Sequence, residues 1–265
     1  MRKATPYLIL IAVFAAASWY FFIREPNAVH EAPPPQLAPA ISAETQQPEP
    51  QYQETPAYPV PELMSEPEII TQPLPILNES DPEVTRDLAG IAGDGPLAQY
   101  LVMDQVISRA VASIDSLTSR QVPVHINPIR PAGDKFLIDT EGENLVLSEQ
   151  NFARYDGYVE LLQNMDTDSL MVFYRYYHPL FQQAWEENGG TGSFNDRLLV
   201  VIDDLLETPD VPGPVHLTKS EAVYLFENPE LEAMTAGQKV LVRMGSANAS
   251  VVKEKLVEVR AALNP

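Results

Sequence analysis

Asp166-Thr167-Asp168-Ser169-Leu170-Met171-Val172-Phe173-Tyr174-Arg175-Tyr176-Tyr177-His178-Pro179-Leu180-Phe181-Gln182-Gln183-Ala184-Trp185-Glu186-Glu187-Asn188 decides how the chain is read. Phe173, Tyr177, Phe181 and Trp185 recur every fourth residue, with Tyr174 and His178 in a second row beside them. That spacing puts the rings on one face of a helix, and an aromatic stripe of this kind is a core face that other elements must cover. Pro179 interrupts the pattern. It has no N–H for the Arg175 carbonyl and costs about 3 kcal/mol in an unbroken helix, so the sequence predicts a kink or a break there. The freed carbonyl makes the surroundings of Tyr174, Arg175 and His178 a candidate site.

Working outward, the flanking segments also read as helices. Asn151 to Gln163 and Asn195 to Glu207 have helical apolar spacing, and Ser193 stands three residues before Asp196 as a capping pair. Upstream, Ser80-Asp81-Pro82-Glu83 reads as a helix start running to about Ala89. Apolar positions from Leu97 to Leu117 predict one long helix or two in tandem. Downstream, Asn228-Pro229 and Thr235 with Gln238 start short helices, the second stopped by Gly245, and Ser246 caps the last. Phe136-Leu137-Ile138 and Leu145-Val146-Leu147 flank Glu141-Gly142-Glu143-Asn144 as a hairpin. Val215-His216-Leu217 or Val223-Tyr224-Leu225-Phe226 could add strands. The expected fold is mainly α with a minor β-hairpin or small sheet, an α+β head over residues 78–265.

The first 77 residues differ in kind. After Arg2 and Lys3, Tyr7 to Ile23 carries no charge, near the lower length limit for a membrane-spanning helix. An anchor over residues 1–24 fits better than a cleaved signal peptide, because Trp19-Tyr20-Phe21-Phe22-Ile23 continues past the small residues Ala15-Ala16-Ala17. The positive residues before the span leave the N-terminus cytoplasmic and the rest exported. From Arg24 to Leu77 there are 13 of the chain's 25 prolines and eight Glu, with no Lys or Gly. Residues 25–77 therefore read as a disordered, extended linker that spans on the order of 150 Å when fully stretched.

The full chain has 17 Lys+Arg against 37 Asp+Glu, a formal net charge of −20, so no nucleic-acid partner is expected. With no Cys there is no disulfide, thiolate nucleophile or Cys-based zinc site. His30, His125, His178 and His216 include no pair at metal-ligand spacing, and no elbow, phosphate loop or zinc-helix motif is present. No metal, cofactor or catalytic residue is assigned. Asp166/Asp168, Glu186/Glu187 and Asp203/Asp204 are paired acids that helix ends and wet faces explain. Asn188-Gly189-Gly190-Thr191-Gly192-Ser193 reads as a helix end, a turn and a cap. Arg154, Arg175, Arg197 and Arg243 lie in apolar runs, where an unpaired guanidinium is costly; each is expected to pair with an acid such as Asp156 or Asp196, or several to converge on a carboxylate ligand.

Three segments carry a family resemblance: Asn151-Phe152-Ala153-Arg154-Tyr155-Asp156-Gly157-Tyr158, Phe194-Asn195-Asp196-Arg197-Leu198 with Ile202-Asp203-Asp204-Leu205-Leu206, and Thr235-Ala236-Gly237-Gln238-Lys239-Val240-Leu241-Val242-Arg243-Met244-Gly245. Together they resemble the bacterial domain-of-unknown-function family 3014. The resemblance implies a Gram-negative inner-membrane protein with a periplasmic head, and brings no activity with it. The binding candidates are Arg154, Tyr155, Tyr174, Arg175, His178, Asn195, Arg197 and Arg243. The expected role is a non-enzymatic binding or scaffold module of the cell envelope. It would hold the bilayer through residues 7–23 and engage an envelope protein or peptidoglycan. The alternatives are a carboxylate-dependent glycan hydrolase using Glu186, Asp203 or Asp204, and a carrier of a lipid or small carboxylate.

Overall fold

Burial of the aromatic face sets the layout. The computed structural model describes residues 73–92, 97–122, 126–130, 132, 135–220 and 223–264, so the expected anchor, nearly all of the linker, His30 and His125 lie outside the described residues. In chain order the helices are α1 (Asp81–Ala92), α2 (Leu97–Tyr100), α3 (Val106–Ser116), α4 (Asp156–Gln163), α5 (Thr167–Glu187), α6 (Phe194–Leu206), α7 (Pro229–Ala233), α8 (Ala236–Arg243) and α9 (Gly245–Leu263). The strands are β1 (Ile138–Glu141), β2 (Asn144–Leu147), β3 (His216–Ser220) and β4 (Val223–Phe226). Among the described residues, no helix is long and apolar enough to cross a membrane.

The fold is mainly helical with one small antiparallel sheet of order β1-β2-β3-β4. The sheet contains both the expected hairpin and both candidate strand segments. Its register, Asp139↔Val146↔His216, puts these three residues on one face. Leu147, Leu217 and Phe226 instead close a second apolar cluster with Val215, Leu231 and Val242. The main core is helical. Phe173, Tyr174, Tyr177, Phe181 and Trp185 on α5 are all buried, as are Phe194, Ile202 and Leu205 of α6 and Val252, Leu256 and Val259 of α9. Leu77, assigned to the linker from sequence, is buried in this core with Leu74 packed against it.

Several local expectations need correction. α5 runs unbroken through Pro179. A break would release Leu180, Phe181, Ala184 and Trp185, and burial of large side chains at about 1.5–3 kcal/mol each outweighs the single proline cost. The helix expected over Asn151–Gln163 is a 3-10 turn, Glu149–Arg154, followed by α4. The split follows from Asn151. Its side chain donates to Leu137 O at 2.6 Å and to Ser148 O at 2.8 Å, and accepts from Leu137 N at 2.9 Å, which pins this turn to the hairpin. The 97–117 segment takes the second of its two expected forms, two helices, separated by residues 101–105, of which Gln105 has a left-handed φ of 51°. α1 continues to Ala92 rather than Ala89.

Helix ends divide into local and remote caps. Asp166, Ser193, Asn228 and Thr235 accept from backbone N–H groups two or three residues on, and Thr235 with Gln238 forms a reciprocal capping box. The Asp81 carboxylate instead accepts from Gln105 N at 2.7 Å and Val106 N at 2.9 Å, so α1 caps α3. Ser246 does not cap α9. The helix begins at Gly245 with no side-chain cap bond, because Gly245 at φ +80° turns the chain directly from α8 into α9. A Cβ there would also come within 2.8 Å of the Phe152 ring. Gly245→Ala is expected to lower unfolding free energy by more than about 1 kcal/mol, since an L side chain is disfavoured at that backbone angle. A urea midpoint equal to that of the parent chain would contradict this account.

Candidate functional site

The candidates read from sequence go to separate places. On α5, Tyr174 is buried and its hydroxyl donates to Asn195 Oδ1 at 3.3 Å, with His178 edge-on at 5.4 Å between ring centroids. Burial raises the Tyr174 phenol well above its usual range, so it stays a donor. Arg175 Nε and His178 Nε2 are buried without a hydrogen-bond partner. Tyr155 and Arg243 lie elsewhere: both are buried, and the Arg243 guanidinium stands 5.0 Å above the Phe226 ring. Burial lowers the Arg243 pKa, opposed by Tyr155 and Glu232.

Arg197 and Arg154 serve local packing. Arg197 Nε bonds Asp115 Oδ1 at 2.7 Å, and its Nη2 bonds Asp115 O at 2.7 Å and Thr118 Oγ1, which joins α6 to the end of α3. Arg154 donates to the Lys135 carbonyl. The Asp156 carboxylate accepts from Asn248 at 3.3 Å. Arg154, Arg197 and Arg243 thus take different partners on different elements.

The acids considered for glycan chemistry have structural partners. Asp203 accepts from both Arg260 nitrogens, at 2.5 Å and 3.2 Å, tying α6 to α9. Asp204 accepts from the Thr235 hydroxyl at 2.8 Å, and Gln238 Nε2 donates to the Asp204 carbonyl at 2.8 Å, holding the start of α8. Partial burial raises the Asp204 pKa, opposed by that hydroxyl bond. Glu186 accepts from Gln182 at 2.9 Å at the exposed end of α5. Among the described residues no group of three His, Asp or Glu is placed to hold a metal ion.

Sequence reasoning missed a hollow beside the sheet. A groove of about 440 Å³ lies beside the sheet, with Asp139 and Glu141 of β1, Glu149 of the 3-10 turn and the Gly213-Pro214-Val215 loop around it. Val146, Leu147 and Phe152 supply apolar lining. Ser148 also lines it, is 1 % exposed, and among the described residues its Oγ has no hydrogen-bond partner. His216, cross-strand from Val146, likewise has a buried Nδ1 without a partner. The loop comes from a Pro-rich run whose apolar residues are too few to mark a wall, so only the paired strands bring it to the groove.

A family model described as "Protein of unknown function (DUF3014)" matches residues 106–260. The chain belongs to this family. No curated protein and no solved structure matches it. The DUF3014 match begins with α3 and ends within α9, so the sheet, the groove and all eight candidate residues fall inside it, whereas α1 precedes it.

Burial alone lowers the His178 pKa below its ordinary value of 6.5. The unfolded chain therefore takes up a proton first on acidification. This contribution to stability is full above about pH 6.5 and is lost as pH falls through the folded pKa. His178→Gln is expected to flatten that part of the stability curve, measured by urea denaturation between about pH 7 and pH 5. An identical pH slope in both chains would rule His178 out as its source.

Proposed function

We propose that this DUF3014 protein is a tethered, non-enzymatic binding module of the bacterial envelope. Residues 7–23 anchor it in the inner membrane, residues 25–77 act as an extended tether, and the head works in the periplasm on a protein partner. The uncharged Tyr7 to Ile23 run and the proline density of the next segment support the tethering. The observation that favours binding is the groove of about 440 Å³ beside the sheet, with an unpartnered Ser148 hydroxyl at its lining. Asp203, Asp204 and Glu186 meanwhile hold helices or helix ends together, so the three acids on which the hydrolase reading rests already have structural partners. A carboxylate ligand in the groove would meet Asp139, Glu141 and Glu149, so the carrier reading gains nothing from it.

The test is crosslinking in intact cells from a photoreactive residue replacing exposed Gln150 in the groove lining. One reproducible envelope protein is expected from position 150 and not from a second full-length chain that carries the photoreactive residue in place of exposed Glu187 on α5. Recovery of glycan fragments, or the same capture by both chains, would overturn the reading.

A further inference from the structure

The rim of the groove is acidic. Asp139, Glu141 and Glu149 are all exposed around it, and none has a cationic partner among the described ion pairs. Some acids elsewhere are paired, as in Asp115 with Arg197, Asp203 with Arg260 and Glu232 with Lys239; what sets these three apart is that they surround one concavity. Unneutralised carboxylates around one concavity attract a cation and repel anions, and on a chain of net charge −20 they add to a field already negative.

An independent observation lies beneath that rim. Ser148 occupies the N-cap position of the 3-10 turn with extended backbone, yet its side chain makes no capping bond. Strand alternation puts it on the Val146 face, away from the second apolar cluster. A buried hydroxyl left unbonded has lost its water without gaining a partner, which is unfavourable. Beside it Asn151 satisfies both its carbonyl and its amide nitrogen, so the local fold can satisfy buried polar groups and leaves this one unmatched. The Ser148 hydroxyl can accept from, or donate to, a polar group brought by a ligand.

The shape favours a chain over a compact ion. A second hollow of about 130 Å³ shares Glu149, Phe152, Gly213 and Val215 with the first and continues toward Leu241 and Ser246. At the junction stands Gly213, at φ +86°, where an added Cβ would meet nothing within 4 Å. β1, which contributes Asp139 and Glu141, is an edge of the sheet with one row of backbone groups unpaired by another strand.

We infer that this groove binds an extended polypeptide segment bearing lysine or arginine, with its cationic side chains at the Asp139, Glu141 and Glu149 rim and its apolar residues on Val146 and Phe152. The inference rests on the binding-module reading and names the class of partner segment. Charge complementarity selects the cations, the apolar floor selects the residues between them, and the paired hollows select an extended backbone.

The experiment uses the full-length chain in phosphatidylcholine nanodiscs and a fluorescent heptapeptide of alternating valine and lysine, followed by anisotropy at about 50 mM salt. Binding is expected, and a peptide with glutamate replacing lysine should not bind. Asp139→Lys, Glu141→Lys and Glu149→Lys together should weaken binding about tenfold or more, since each replaces attraction by repulsion. Ser148→Ala should weaken it severalfold without loss of thermal stability. As a control of equal charge change, Asp168→Lys, Glu186→Lys and Glu187→Lys alter exposed acids on α5 and should leave binding within about twofold, because their interactions are screened beyond a Debye length. Absence of peptide binding, equal loss in both triple variants, or spermine binding as tightly as the peptide would overturn the inference. Cellular capture that persists without peptide binding overturns this inference alone. Peptide binding without capture by the head in cells overturns the module reading instead.

Discussion

The head depends on covering the aromatic face of α5. Phe173, Tyr174, Tyr177, Phe181 and Trp185 occupy a surface too wide for one neighbour, and α1, α3, α6 and α9 all pack against this helix. The rings meet one another and the next helix: Phe181 stacks on Phe194 at 5.7 Å, and Trp185 lies 6.3 Å from the same ring. The Tyr177 hydroxyl donates to Asp87 at 2.7 Å, which orients α1 over the same face. With so much area committed, the loss of one backbone bond at Pro179 is absorbed rather than turned into a break.

Around that core the polar side chains act mainly as ties. Gln182 donates to Gly192 O at 3.0 Å and accepts from Phe194 N at 2.8 Å, fixing the turn between α5 and α6. Lys255 and Thr167 share Glu258, whose carboxyl is held below its usual range first by the Lys255 hydrogen bond. Asp203 with Arg260 and Arg197 with Asp115 link α6 to helices on either side. Exposed pairs of this sort contribute little energy individually, but they select one packing of helices whose apolar faces are otherwise interchangeable.

The sheet lobe is organised differently, and this explains why the groove lies there. Its apolar cluster is small and separate from the main core, with the Arg243 guanidinium over its Phe226 ring. Only one face of the sheet is needed to close the cluster. The opposite face, with Asp139, Val146 and His216, is left to meet the 3-10 turn and the Gly213 loop with a hollow between them. The helical body provides a packed core and the lobe provides a concave surface.

What was legible in the sequence was whatever depends on near neighbours. The aromatic stripe of α5, the hairpin around Gly142, and the caps at Asp166, Ser193, Asn228 and Thr235 each rest on residues a few positions apart, where spacing and backbone geometry leave few alternatives. The mainly helical class and the family followed from the same local patterns. Whatever needed a remote partner was not legible. Asp81 caps a helix that starts 25 residues later, and Arg197 finds Asp115 across 82 residues. The eight candidate residues do not form one site: Tyr174, His178 and Asn195 meet, while Arg154, Arg197 and Arg243 lie elsewhere. The groove instead joins segments near 139, 149 and 213, none conspicuous alone. Local periodicity fixes which face of an element is apolar; only tertiary packing decides which faces meet, because many pairings bury similar area and the remote polar contacts choose among them.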